Sequence, residues 1–150
     1  MTNTQQRLAG FRSAMKDAGL AVRKEWVMTE GFSVSKGQEY AAKLLSAKRR
    51  PTAVFCMNDL LAIGALKAAH RAGIRVPEEL SIVGYDDIPQ ATYSIPELTT
   101  VSLMSQDIGR QAARTLDKMI AGKKVPLFQS VMPELVVRET TAPPSGTNFQ

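Results

Sequence analysis

Between residues 51 and 87 the sequence alternates an apolar segment, a helical pattern and a second apolar segment, and this alternation constrains the fold most strongly. Residues 52–57 and 80–85 are short apolar runs rich in strand-forming residues, typical of strands that are buried on both faces. The helix between them has Asp59 as its predicted N-cap and Gly73 as its left-handed end. Such a unit predicts parallel strands joined by a right-handed crossover.

Polar residues stand where each of these two strands ends. Asn58 follows the first apolar run, and Asp86 with Asp87 follows the second. In open α/β sheets, ligands bind in the crevice beyond the carboxyl ends of parallel strands. The sequence therefore predicts an amide and a carboxylate at one rim of the sheet, which suits a small polar ligand.

The same reasoning extends over the rest of the chain. The other predicted elements are a helix over residues 7–18, a strand over 25–29, a helix after a capping box at Ser35 and Gln38, an extended segment over 98–103, a helix over 107–121 and two strand pieces over 129–132 and 134–138. This order indicates an α/β fold with a parallel, doubly wound sheet. The first element is a helix and not a strand, so either a strand is missing upstream or the helix caps an edge of the sheet. We expect the chain to be the later part of a larger protein.

The composition fits one globular domain and points away from direct DNA binding. The net charge is +5 over 150 residues, and residues 48–50 form the only tight basic cluster. Cations favour helix C-termini, so a solvated helix end is preferred over a phosphate-binding patch. No zinc-ligand spacing, RNA-binding signature or leucine heptad accompanies these charges.

Single residues and missing motifs limit the chemistry further. Cys56 is the only cysteine and lies in an apolar strand, so we expect a small buried side chain in a reducing, cytoplasmic setting. His70 is the only histidine, and neither a metal site nor a cofactor is predicted. There is no nucleophile elbow, Walker A loop or dinucleotide fingerprint, so an enzyme is not expected, although Asp59, Asp86 and Asp87 could in principle hold a metal.

Five motifs occur together in a characteristic order. They are RLAGF at 7–11, EGFSVSKGQEYAAKLL at 30–45, RPTAVFCMNDLLAIGAL at 50–66, RVPEELSIVGYDD at 75–87 and PELTTV at 96–101. Through them the chain resembles the carboxyl-terminal part of the effector-binding core of LacI-type (lactose/purine repressor family) bacterial transcriptional regulators. The resemblance extends from about residue 5 to residue 141.

The resemblance implies a periplasmic-binding-protein-like type I fold, in which two α/β lobes enclose a ligand cleft. It assigns residues 5–98 and 133–141 to the second lobe and residues 99–132 to a crossover and part of the first lobe. Residues 142–150 are expected to be a flexible tail. The DNA-binding headpiece of the family is absent, so DNA binding is expected only through a longer parent protein.

The resemblance also implies roles for individual residues. The ligand-binding positions are Arg7, Phe32, Asn58 and Asp86, and Leu103 and Ser105 are possible ligand-proximal positions. Ile63, Leu66 and His70 correspond to a surface that forms homodimers in the family, although core packing explains Ile63 and Leu66 equally well.

An amide at the position of Asn58 is typical of sugar-sensing members, so a sugar or sugar derivative is preferred over a purine. The predicted function is effector sensing and dimerisation, with ligand binding changing the operator affinity of the absent headpiece. The main alternative is a solute-binding protein of a sugar transporter.

Overall fold

The computed structural model of the protein describes residues 3–144. Its helices and strands are α1 (Asn3–Asp17), α2 (Val34–Leu45), β1 (Ala53–Phe55), α3 (Asp59–Arg71), β2 (Ser81–Asp86), β3 (Thr99–Ser102), α4 (Ser105–Ile120) and β4 (Glu134–Val136), with short 3-10 turns at Lys24–Trp26 and Pro89–Ala91.

The strands form one four-stranded sheet in the order β1-β2-β3-β4. β1, β2 and β3 run parallel, and β4 pairs with β3 in the antiparallel direction. Helix α3 provides the crossover between β1 and β2. The predicted α/β class with a parallel-dominated sheet is confirmed, and the three parallel carboxyl ends meet at one edge.

The core lies between α2, α3 and the first two strands. Ala62 and Ala69 of α3 and Ile82 of β2 have no exposed surface. Helices α2 and α3 meet at two glycines: a β-carbon added at Gly37 would lie 2.2 Å from the Leu61 carbonyl oxygen, and one at Gly64 would meet α2 equally closely. Neither α1 nor α4 contains a buried residue, so α3 is the central helix of the described fold.

The N-caps of two helices differ from the predicted ones. The N-cap of α2 is Ser33, whose hydroxyl accepts from the Lys36 amide, and not Ser35. The N-cap of α3 is Asn58, whose side chain accepts from the Leu61 amide. Asp59 is instead the first helical residue and is fully buried. The capping prediction for Asp59 is therefore wrong, because tertiary contacts take its carboxylate into the core.

Two predicted strands are absent from the described residues. Residues 25–29 overlap a 3-10 turn at Lys24–Trp26, and no strand of the sheet pairs with them. Residues 129–132 are also unpaired, and the Gln129 side chain bonds to Gln111 and Thr115 of α4 instead. A β pattern becomes a strand only when a neighbouring strand satisfies its backbone, which explains both failures.

The end of the described chain packs back against β2. The buried Thr140 hydroxyl donates to the Ile82 carbonyl at 2.6 Å, and the Thr99 amide donates to Thr140 at 2.9 Å. Ala142, in the predicted flexible tail, exchanges two hydrogen bonds with the Ser81 side chain. Most of that predicted tail, residues 145–150, lies outside the described residues.

The fold confirms the expected burial of the single cysteine. Cys56 is buried, as predicted, and burial raises the pKa of its thiol to about 12. Among residues 3–144, no helix combines the length and the apolar character needed to cross a bilayer.

Candidate functional site

An open cavity of about 660 Å³ lies where the parallel strands end. Its walls include Phe55 at the end of β1, Tyr85 near the end of β2 and Leu103 just after β3. Helix α1 provides the opposite wall with Arg7 and Phe11. The cavity therefore occupies the crevice that the sheet topology predicts for a ligand.

Arg7 lines this cavity and faces Asp86, which follows Tyr85 at the end of β2 and is not itself part of the cavity wall. The Arg7 Nη2 atom lies 3.5 Å from Asp86 Oδ1, and both side chains are partly exposed. The guanidinium carbon also lies 3.7 Å from the centroid of the Tyr85 ring, and Nη1 donates to the Met57 carbonyl. Two predicted site residues thus form one ion pair, and stacking on Tyr85 fixes the orientation of the guanidinium.

The backbone around Asp86 adopts an uncommon conformation. Asp86 has φ 114° and Asp87 has φ 55°, in the region that favours glycine. The Asp87 carboxylate accepts from Arg138 Nη2 at 2.7 Å, and Arg138 Nη1 donates to the Leu98 carbonyl. This anchoring holds Asp87 away from the cavity, while Asp86 points toward Arg7.

The pKa of Asp86 is raised above its ordinary value. Partial burial is the main cause, the Arg7 guanidinium opposes it, and the negative charge of Asp59 adds to it. A half-buried carboxylate beside a single guanidinium keeps lone pairs free to accept hydrogen bonds from a ligand. Asp86 can therefore accept hydrogen bonds from a ligand while it stays paired with Arg7.

Asn58 and Phe32 lie next to each other, and the amide of Asn58 is already engaged. Its oxygen accepts from the Leu61 amide at 2.9 Å, and its nitrogen donates to the Phe32 carbonyl at 3.1 Å. The Phe32 ring is 51% exposed. Asn58 thus caps α3 and fixes the loop that presents the Phe32 ring to solvent.

The two possible ligand-proximal residues differ in position. Leu103 lines the cavity, whereas Ser105 begins α4, is exposed and is not part of the cavity wall.

The three residues of the predicted dimer surface differ in how deeply they are buried. Leu66 is only 8% exposed and belongs to the core cluster, Ile63 is partly buried against that cluster, and His70 is exposed. Core packing therefore accounts for Leu66 within this chain.

Three aromatic residues of the site were not predicted from the sequence. Tyr85 supports Arg7, and the Phe11 and Phe55 rings stack with centroids 5.8 Å apart. The sequence signal that could have identified Phe55 and Tyr85 is their position at the ends of predicted strands, next to the expected ligand crevice. Asp59, the first residue of α3, lies beneath the site and accepts from the Ile88 amide. Residues 3–144 contain no cluster of three or more histidine, cysteine or acidic residues suited to a metal ion.

The sequence profile of the periplasmic binding protein-like domain matches residues 1–141. The chain belongs to this family. Within the family, the resemblance to LacI-type effector-binding cores is confirmed by curated relatives. The HTH-type transcriptional repressor PurR of Haemophilus influenzae is 38% identical over 143 residues, which are 93% of this chain and 43% of the relative. The repressor of the same name from Yersinia pestis is 38% identical over 137 residues, covering 91% and 40%.

Solved structures of the family agree with this membership. A LacI family transcriptional regulator from Mycobacterium smegmatis has a TM-score of 0.80 at 37% identity, over 94% of this chain and 53% of that one. A LacI family regulator from Bifidobacterium animalis subsp. lactis has a TM-score of 0.86 at 31% identity, over 94% and 51%. The predicted periplasmic-binding-protein-like fold class is thereby confirmed. The chain spans about half the length of these structures and about two fifths of the curated relatives.

Proposed function

We propose that this chain is the effector-sensing part of a LacI-family transcriptional regulator and binds a small cyclic ligand beside the Arg7–Asp86 pair. The observation that carries the proposal is the Arg7–Asp86 pair at the carboxyl ends of the parallel strands, where Arg7 lines a cavity of about 660 Å³. Ligand pockets typically combine mostly apolar walls with a few fixed polar groups, and this cavity has both.

The chemistry of the walls favours a ring with polar edges. Arg7 offers several N–H donors in a fixed plane, and Asp86 offers a carboxylate acceptor. Phe11, Phe55 and Tyr85 supply aromatic surface in the cavity wall, whereas the exposed ring of Phe32 lies outside that wall, on the loop that Asn58 fixes. Aromatic surfaces stack on the flat or apolar faces of rings, while the charged pair satisfies groups at their edges.

A sugar or sugar derivative is the first ligand class that we propose, because its hydroxyl groups can donate to Asp86 and accept from Arg7. A purine base is the second candidate. Both functional groups of the Asn58 amide are engaged within the chain, which weakens the argument for a sugar. The PurR name of the curated relatives also supports a purine.

Ligand binding would act through the longer protein. An effector with different affinities for an open and a closed cleft shifts the balance between them, and closure would change operator binding by a separate headpiece. The exposed His70 and the partly buried Ile63, two turns apart on α3, belong to the proposed homodimer surface. The proposed location is cytoplasmic. The relatives are named as regulators, which favours this role over solute delivery to a transporter or catalysis.

Substitution of Asp86 tests the site directly. Asp86→Asn removes the charge but keeps a residue that tolerates positive φ, so the backbone is preserved. We expect the affinity for the bound sugar or base, measured by isothermal titration calorimetry, to fall by about 10- to 100-fold, as for the loss of one charge-assisted hydrogen bond. Asp107→Asn is the matched control, since Asp107 lies on α4 and pairs only with the neighbouring Arg110. Equal affinities in both variants would refute the assignment of Asp86.

A further inference from the structure

The buried carboxylate of Asp59 connects three elements beneath the site. Asp59 is the first residue of α3 and has no exposed surface. Its Oδ1 atom accepts from the Thr100 hydroxyl of β3 at 2.5 Å, and its Oδ2 atom accepts from the Ile88 amide at 2.9 Å. One side chain therefore joins the start of α3 to β3 and to the loop after β2.

The sheet is shaped to receive this carboxylate. A β-carbon added at Gly84 would lie 2.1 Å from Asp59 Oδ1, far inside van der Waals contact. Thr100, opposite, has no exposed surface, and its hydroxyl makes its described hydrogen bond to Asp59. Burying a carboxylate costs free energy unless it is fully hydrogen-bonded. An arrangement as specific as this one therefore indicates a role for Asp59.

The hydrogen bond to Ile88 lies at a strained part of the backbone. Ile88 follows Asp86 and Asp87, whose φ values are 114° and 55°. Non-glycine residues in such conformations each cost on the order of 1–3 kcal/mol and persist only where their surroundings hold them. Asp59 holds the end of this segment through Ile88, and Arg138 holds the side chain of Asp87.

We infer that Asp59 is a positioning residue that fixes the Asp86–Asp87 backbone and so aims the Asp86 carboxylate at Arg7, the charged residue of the effector cavity wall. Neither Asp59 nor Asp86 is itself part of that wall. This inference rests on the proposed function of Asp86, but its structural half can be tested without any ligand. Burial raises the pKa of Asp59, while the Thr100 hydroxyl and the backbone amides of Ile88 and Tyr85 oppose that rise, in agreement with a carboxylate held by donors.

Three variants separate positioning from simple core stability. Asp59→Ala removes both hydrogen bonds. Asp59→Asn can still accept from Ile88 with its oxygen and donate to the Thr100 hydroxyl with its nitrogen, so it should rescue the geometry. Thr100→Val is the matched control, because it removes only the bond to β3 and keeps the shape of the side chain.

The first readout is the backbone itself. In the ¹⁵N-labelled chain, the three-bond HN–Hα couplings of Asp86 and Asp87 report φ. We expect couplings of positive φ in the unaltered chain, Asp59→Asn and Thr100→Val, and altered couplings in Asp59→Ala. We also expect slow amide exchange at Ile88 in the unaltered chain. Fast exchange of the Ile88 amide in the unaltered chain, or unchanged couplings in Asp59→Ala, would overturn the inference. If Asp59→Ala does not fold, the exchange rate of the Ile88 amide decides alone.

The second readout is affinity for whichever of D-glucose, D-ribose, adenine or guanine the unaltered chain binds. We expect Asp59→Ala to weaken that binding about tenfold or more, as one misdirected charge-assisted hydrogen bond would, and Thr100→Val to leave it within about twofold. Equal weakening in both variants would show a merely structural role and would overturn the inference. If none of the four probes binds the unaltered chain, the proposed function is what fails, whereas the couplings still decide the positioning.

Discussion

Substitution of Gly84 by alanine should destabilise the protein through one contact. The added β-carbon would lie 2.1 Å from Asp59 Oδ1 and 3.0 Å from Leu98 Cδ2. Gly84 does not occupy a positive-φ conformation, so alanine meets no backbone penalty there and the effect is steric. Because the site is fully enclosed, the carboxylate must move and lose at least one of its hydrogen bonds.

The loss of stability is the sum of two effects, the steric overlap of the added β-carbon and the loss of a hydrogen bond by Asp59. Overpacking in a close-packed core costs about 1–3 kcal/mol. Loss of a hydrogen bond to a charged group adds about 1.5–3 kcal/mol. We therefore expect the free energy of unfolding to fall by about 3–5 kcal/mol, and the Tm to fall by about 10 °C for a chain of this size.

Urea denaturation followed by circular dichroism measures this change. Gly109→Ala is the matched control, because Gly109 lies on exposed α4 with nothing within 4 Å of an added β-carbon. That variant should gain about 0.5–1 kcal/mol from the helix propensity of alanine. The double variant Gly84→Ala/Asp59→Ala should be more stable than the two single effects predict, by about 2 kcal/mol, because the clash is gone. Additive effects, or a Gly84→Ala variant within about 0.5 kcal/mol of the unaltered chain, would refute the reasoning.

Two further predictions concern Asn58 and Asp86. Asn58→Ala should lower the free energy of unfolding by about 1 kcal/mol through loss of the α3 cap. Asn58→Ser should keep the cap and lose only the hydrogen bond to the Phe32 carbonyl. Equal losses of stability in urea denaturation would contradict this separation. The pKa of Asp86 is raised in the folded chain, mainly by burial, so the native state binds this proton more tightly than the unfolded state does. Relative to Asp86→Asn, the unaltered chain should lose stability as the pH rises from about 3.9 through the raised pKa of Asp86. Curves of stability against pH that run parallel for the two proteins would contradict this prediction.

Local sequence patterns were sufficient to predict the two parallel strands that carry the site. Apolar runs followed by Asn58 and Asp86 correctly predicted two parallel strands whose ends meet at one rim. The family resemblance named both Arg7 and Asp86 as ligand-binding positions, but their ion pair was predicted neither by the resemblance nor by spacing, since the two residues lie far apart in the sequence. Whether Arg7, Phe32, Asn58 and Asp86 bind a ligand stays a prediction.

The failures share a physical cause, because each depends on contacts between distant parts of the chain. Asn58 and Asp59 are both good capping residues, and the choice between them depends on Gly84 and Thr100, which provide a buried place for one carboxylate. The strand predicted at residues 25–29 has β-forming residues but no neighbouring strand among those described. Neither Gly84 nor a missing strand can be recognised from local periodicity.

The measurement that tests the central claim most directly is a thermal-shift screen of this chain against sugars, sugar phosphates and nucleobases. Ligand binding to the native state raises the Tm in proportion to the logarithm of ligand concentration above Kd, once the ligand is in excess. We predict a cooperative transition that one of these classes moves upward, and a shift that is reduced in Asp86→Asn but not in Asp107→Asn. A cooperative transition that no class moves, at millimolar ligand, would contradict an effector site in this chain.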